Sequence, residues 1–331
     1  MTTERTNLRH TRVRAVRPRA LLLALLVFTT GAAGTACTTA SDDGRPHVVV
    51  TTNILGDVTR EIVGDEAEVT VLMKPQADPH SFGLSAVQAA ELERADLVVF
   101  NGLGLEENVL RHVDAARDSG VAVVEVGKAV DPLVFGKDGG GPAEEAGRPD
   151  PHFWTDPDRM RTATGLIADQ VIEHVDGVDA TVIRDRAARY DRSLVELTTW
   201  MEASFDRIPG NRRALVTNHH VFGYLAERFG FRVIGAVIPS GTTLASPSSS
   251  DLRALTRAME QAGVRTVFAD SSRPRRLAEV LRSELNGDVR VIGLFSESLT
   301  AKGGGADSYL RMMRANTTAL TDGLAPGTTR G

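Results

Sequence analysis

The chain has 331 residues, 38 Lys and Arg against 43 Asp and Glu, 42% hydrophobic residues and one cysteine. That apolar fraction supplies a substantial core and excludes disorder over most of the chain, and the length predicts two lobes rather than one. A single cysteine excludes an intramolecular disulfide and a Cys-x-x-Cys metal or redox site. Residues 1–36 contribute +5 to a total charge of −5, so the rest of the chain carries −10, which argues against nucleic-acid binding through phosphate neutralisation.

Arg5 to Arg19 form a basic stretch, Ala20 to Phe28 a nine-residue apolar run, and Gly31 to Ala36 a tract of small residues ending at Cys37. This is the order of regions in a secretory signal peptide, and the apolar run is too short to cross a hydrocarbon layer of about 30 Å as a helix. Gly34-Thr35-Ala36-Cys37 resembles the lipobox of bacterial lipoproteins, in which the cysteine is lipidated and becomes the new N-terminus, with Gly34 where Leu usually stands. No Arg-Arg pair precedes the apolar run, which points to the Sec route. Residues 38–46 read as a polar, flexible tether. The expected mature protein is a soluble body held through Cys37 on the outer face of the bacterial cell membrane, with periplasmic or secreted forms as alternatives.

From His47 onward, short β-branched runs alternate with helical patterns, the signature of parallel sheets built from βαβ units. In a first lobe, residues 47–157, strands are predicted at 47–52, 69–73, 96–100 and 121–126, with helices at about 54–63, 84–94 and 105–118. Residues 136–150 hold five glycines and two prolines and read as a surface loop. Linking helices are predicted over 158–208, where Tyr190, Leu194, Leu197, Met201, Phe205 and Ile208 recur at spacings of three and four. They make one apolar stripe on a helix starting near Val178. At about 30 residues it would be roughly 45 Å long, a rigid connector running the height of both lobes. In a second lobe, residues 209–331, strands are predicted at 213–217, 231–237, 265–269 and 288–294. Helices are predicted near 220–229, 248–262 and 274–285, with a last one near 306–322. Ser248 followed by Asp251 reads as a helix N-cap with an acidic first turn. The fold class is α/β: two lobes, each with a mostly parallel central sheet flanked by helices, joined by one long helix.

Asp78-Pro79-His80 and Asp150-Pro151-His152 repeat one tripeptide, each with an aromatic residue shortly after. Proline fixes the backbone entry, an aromatic neighbour excludes water, and neutral imidazole is a nitrogen donor that zinc favours. His219-His220 follows the strand 213–217, at the carboxyl edge where open parallel sheets bind ligands, and Asp270 follows the strand 265–269. These four loops supply the candidate ligands. His112 and His174 lie in helical patterns among charged residues and read as a solvated face; His47 precedes the first strand and has no such context.

At these residues the chain resembles the zinc and manganese solute-binding proteins of ABC transporters, a family of high-affinity metal-binding lipoproteins. The resemblance spans almost the whole mature chain, through VVVTTNILGDVTREIVGD, ADPHSF, ADLVVFNGLGLE, DPHFWTDP, NHHVFGYLAERFGF, VFADSSRPRRLAEVL and SYLRMMRAN, in that order. It implies His80, His152, His219 and Asp270 as metal ligands, with His219 preferred over His220. It departs at 136–150, which lacks the His-rich loop of many zinc members, and at Gly83, where many relatives have an acidic residue.

Three imidazoles and one carboxylate suit tetrahedral Zn²⁺, whereas Mn²⁺ prefers more oxygen donors. Zn²⁺ is therefore the expected ligand and Mn²⁺ the alternative, with affinity falling as pH drops through about 6.5, where imidazole protonates. The resemblance implies import through an ABC permease and its ATPase subunit, with a metallochaperone as a further candidate partner and a monomer as the expected state. A zinc metalloenzyme is the rival class, but a fourth protein ligand would close the position that catalytic zinc keeps open, and no His-Glu-x-x-His helix is present. No Gly-x-Ser-x-Gly element or Walker-type phosphate loop occurs either. A surface adhesin is the remaining alternative; it requires no role for the histidines.

Overall fold

Four valine-rich or apolar segments, HVVV, EVTV, LVVF and AVVE, form the first sheet in a computed structural model that describes residues 44–136, 145–271 and 289–325. Cys37 with the leader, residues 137–144 of the glycine-rich loop, and the helix expected at 274–285 lie outside the described residues. The strands are β1 His47–Val50, β2 Glu68–Val71, β3 Leu97–Phe100 and β4 Ala122–Glu125, all parallel in the order β2-β1-β3-β4. The central strands are buried on both faces, as parallel sheets covered by helices require: Val48, Val49, Val50, Leu97, Val98 and Val99 are inaccessible to solvent. The second sheet repeats the plan with β5 Ala214–Thr217, β6 Arg232–Ala236, β7 Thr266–Asp270 and β8 Arg290–Leu294, again parallel, in the order β6-β5-β7-β8.

In each sheet the chain crosses from the second strand over the first to reach the third. This creates a switch point between β1 and β3, and another between β5 and β7, where loops diverge at the carboxyl edge and leave room for a ligand. The helices of the first half are α1 Asn53–Val63, α2 Ala86–Glu93 and α3 Leu110–Asp118; those of the second are α6 Gly223–Phe229, α7 Ser249–Ala262 and α8 Tyr309–Leu324. Local chemistry sets their ends. Thr52 caps α1 by accepting the Leu55 N–H, and Gly64, at φ 60°, ends it. Ser248 and Asp251 form a reciprocal capping box on α7, as the sequence spacing predicts.

Between the halves lie α4 Pro157–His174 and α5 Ala180–Phe205. Asp156 caps α4, with Pro157 in its first turn, and the break after it contains Gly177 at φ 82°. α5 has 26 residues, hence about 39 Å, and packs on α1, α4 and α8. Its predicted stripe is the buried face: Tyr190, Leu194, Leu197, Met201 and Phe205 are all 6% exposed or less. Each large apolar side chain so buried contributes about 1.5–3 kcal/mol relative to exposure. These residues belong to one continuous core with Val48 and Val99 of the first sheet and Leu215, Phe268 and Leu294 of the second. The long helix thus connects two sheets through shared packing. No helix among the described residues is long and apolar enough to cross a membrane.

Candidate metal centre

The segment after β2 carries His80. Backbone bonds from Leu72 to Val50 and from Met73 to Thr51 prolong the strand, and the chain then turns through Asp78-Pro79-His80. The Asp78 carboxylate accepts the His80 backbone N–H at 3.0 Å, closing an Asx-type turn. Its other oxygen accepts the Ser81 hydroxyl at 2.9 Å and the Thr243 hydroxyl at 2.7 Å, the latter from the loop after β6.

His152 comes from the long connection after β4, and its approach is held from both halves. Asn101, at the end of β3, donates to the Pro151 carbonyl at 3.0 Å, and Tyr224 of α6 donates to the Asp150 carbonyl at 2.6 Å. Buried Glu106 in turn accepts the Asn101 and Gly102 amides and the Thr51 hydroxyl, joining the ends of β1 and β3. Burial pushes the Glu106 carboxyl above the ordinary carboxylate range despite these bonds. Asp150 repeats the Asx turn, accepting the His152 N–H at 3.0 Å, and also binds the ring Nδ1 at 2.6 Å. A carboxylate at Nδ1 leaves Nε2 as the free donor atom of the ring.

His219 sits two residues past β5, its carbonyl accepting the Thr217 hydroxyl at 2.7 Å. Glu297 lies three residues past β8, in a segment tied to the first half: Asn53 donates to the Ser298 hydroxyl and accepts the Leu299 N–H, and Trp154 donates its indole N–H to the Ser296 carbonyl.

These loops bring His80, His152, His219 and Glu297 together, each 3% exposed or less, with one potential ligand atom from each within 4.8 Å of the others. Glu297 Oε1 lies 2.9 Å from His80 Nε2, 3.1 Å from His219 Nε2 and 3.7 Å from His152 Nε2; His80 Nε2 and His152 Nε2 are 3.4 Å apart. Donors about 2.0–2.1 Å from a tetrahedral metal stand about 3.3 Å from one another, and the observed spacings bracket that value. Among the described residues, Glu297 Oε1 and both ring nitrogens of His219 are buried without a well-directed hydrogen bond, the close Glu297 contacts being ion-pair contacts to the imidazoles. Buried lone pairs without protein partners are costly, and a cation is what such a converging set can hold.

The four groups are also electrostatically coupled. Burial would push the Glu297 carboxyl up, but His219, His80 and His152 together hold it well below the usual carboxylate range. Burial likewise disfavours charge on His152, yet Asp150 and then Glu297 outweigh it and lift that ring to about 9. Burial beside His219 drives His220 down to about 4.

Of the four ligands expected from sequence, the three histidines converge and Asp270 does not. Asp270 ends β7 in register with Leu294 of β8, and its Oδ2 accepts the Ser296 N–H at 3.3 Å as well as the Ser296 hydroxyl. The chain beyond β8 therefore folds over the end of β7, and Glu297, next after Ser296, enters the group in place of Asp270. A signal was present in Ser296-Glu297-Ser298, an acid just beyond a β-strand at the same carboxyl edge as His219. His220 lies outside the group, its backbone N–H bonded to the Ser240 carbonyl. His47, the first residue of β1, bonds Thr70 of β2, and His112 and His174 lie on α3 and at the end of α4.

Two parallel sheets thus meet over four buried side chains that could hold a metal ion, and the relatives of this chain are the metal-binding substrate-binding proteins of ABC transporters. The fold is similar to that of the periplasmic zinc-binding protein TroA from Treponema pallidum, with a TM-score of 0.77 and 26% identity over 85% of this chain and all of that one. In sequence, the zinc-binding protein TroA of Treponema pallidum is 29% identical over 86% of this chain and 91% of its own length. The manganese-binding lipoprotein MntA of Halalkalibacterium halodurans is 26% identical over 92% and 96%. The manganese ABC transporter substrate-binding lipoprotein PsaA of Streptococcus pneumoniae is 25% identical over 92% and 96%. The chain belongs to the family described as "Zinc-uptake complex component A periplasmic", whose model matches residues 48–323. This is a family of extracytoplasmic solute-binding proteins, not of enzymes.

Proposed function

We propose that this protein captures Zn²⁺ outside the cytoplasm with His80, His152, His219 and Glu297 and delivers it to an ABC permease for import. The observation that carries the reading is the convergence of three buried imidazoles and one carboxylate at tetrahedral spacing. Such a set favours zinc, since manganese takes more oxygen donors. Relatives named for manganese make Mn²⁺ the competing cargo. The relatives' names as lipoproteins also support Cys37 as the lipid anchor, with residues 38–46 as the tether.

Elemental analysis of the mature protein purified without a histidine tag, followed by equilibrium dialysis against zinc and manganese, tests the cargo. About one equivalent of zinc, outcompeting manganese and lost in His80→Ala, is expected. Preferential retention of manganese would replace zinc by the competing cargo. Less than about half an equivalent of any transition metal, with no uptake on adding zinc, would overturn the reading.

A further inference from the structure

We infer that Asp270 is a positioning residue for the metal site: it fixes Ser296 and thereby sets where Glu297 presents its carboxylate. The inference rests on the reading of Glu297 as a ligand. Asp270 is 5% exposed and is the last residue of β7, so its backbone is fixed by pairing with β8. Its carboxylate takes both the amide and the hydroxyl of Ser296. The Ser296 carbonyl is engaged in turn by the Trp154 indole at 2.8 Å, and the Trp154 ring stands edge-on to His152, with centroids 5.2 Å apart.

The residues on either side are pinned as well. Asn316 of α8 both donates to the Phe295 carbonyl and accepts the Phe295 amide, each at 2.8 Å. Asn53 accepts the Leu299 amide at 2.9 Å. Glutamate has three side-chain torsions, so its carboxylate is presented accurately only if the backbone beneath it does not move. Among these anchors Asp270 is the one that holds the amide and hydroxyl of the residue immediately before Glu297. Without it, Ser296 keeps, among the described residues, the Trp154 hydrogen bond alone, and the carboxylate must be ordered at the moment of binding.

Groups that bond a metal ligand directly change affinity by about 10–100-fold when removed, and Asp270, acting one residue away, is expected toward the lower end of that range. The test is a double-mutant cycle on zinc affinity, measured by competition with a chromophoric chelator on the full mature protein. Asp270→Ala is expected to weaken zinc binding by about 10-fold, yet by less than about threefold in a Glu297→Ala background, because its effect acts through that carboxylate. Asp270→Asn, which keeps an oxygen acceptor for Ser296, is expected to restore most of the loss. Ser296→Ala should reproduce part of it, and carries the cycle if Asp270→Ala fails to fold. An equal loss in both backgrounds, or no loss in either, overturns the positioning role. If Glu297→Ala alone leaves zinc affinity unchanged, the ligand assignment fails instead.

Discussion

The segments 78–80 and 150–152 share the sequence Asp-Pro-His and the same Asx turn, with aspartate to histidine N–H distances of 3.0 Å in each. They use the aspartate differently. Asp150 binds the ring of its own histidine, whereas Asp78 spends its second oxygen on Ser81 and on Thr243 of the loop after β6. One aspartate therefore orients an imidazole and the other ties the first half of the molecule to the second. The difference arises from what surrounds each turn. Around Asp150, Tyr224 and Asn101 hold the carbonyls of Asp150 and Pro151, and the carboxylate meets the His152 ring. Around Asp78, the hydroxyls of Ser81 and Thr243 occupy the second carboxylate oxygen.

If ring orientation is what Asp150 supplies, Asp150→Ala should weaken zinc binding by about 10–100-fold, the range for a carboxylate behind a ligating histidine. Competition titrations at pH 7.5 would measure it, and a change below about twofold would show that the 2.6 Å contact is incidental. Asp78→Ala, lacking a ring contact to lose, should change affinity by less than about threefold while speeding zinc dissociation, since the Thr243 tie between halves is gone. Stopped-flow release into a chelator separates the two quantities. Equal affinity losses in the two variants would erase the contrast between the turns.

Much of the fold was legible because its causes are local. Runs such as Val48-Val49-Val50 and Leu97-Val98-Val99 match strands buried on both faces, and the three-and-four spacing through Leu194, Leu197 and Met201 matches the buried face of α5. The repeated Asp-Pro-His marked two of the converging histidines for the same reason: a turn and its side chain are contiguous in the chain. The fourth member was legible only as a choice between two acids. Asp270 and Glu297 are both acids at the carboxyl edge of the second sheet, and only the register of β7 against β8, with Ser296 folded onto Asp270, decides which one enters the group. The divergent roles of Asp78 and Asp150 were hidden likewise, since Thr243 is 165 residues from Asp78.

A carboxylate outside the group provides the smallest effect on metal and separates global stability from site geometry. Asp57 of α1 accepts the Tyr309 N–H at 2.8 Å at the start of α8, and burial, with nearby Glu61 adding, raises it to about 6. Its ordinary value is 3.8, so between about pH 4 and pH 6 the folded protein holds a proton that the unfolded chain has released. Stability therefore falls as pH rises through that window, the reverse of a salt-bridged carboxylate. A shift of this size corresponds to about 3 kcal/mol at most, and partial exposure reduces it to roughly 1–2 kcal/mol. Asp57→Asn keeps an acceptor for Tyr309 and removes the charge. It should stabilise the metal-free protein by roughly 1–2 kcal/mol more at pH 7.5 than at pH 4, read from urea unfolding, with zinc affinity unchanged within about twofold. A stability difference independent of pH would show that Asp57 ionises in the folded protein as it does in the unfolded chain. A parallel loss of zinc affinity would mean that the α1–α8 contact also shapes the metal centre, and the losses in Asp150→Ala and Asp78→Ala would then need correction for stability before the two turns could be compared.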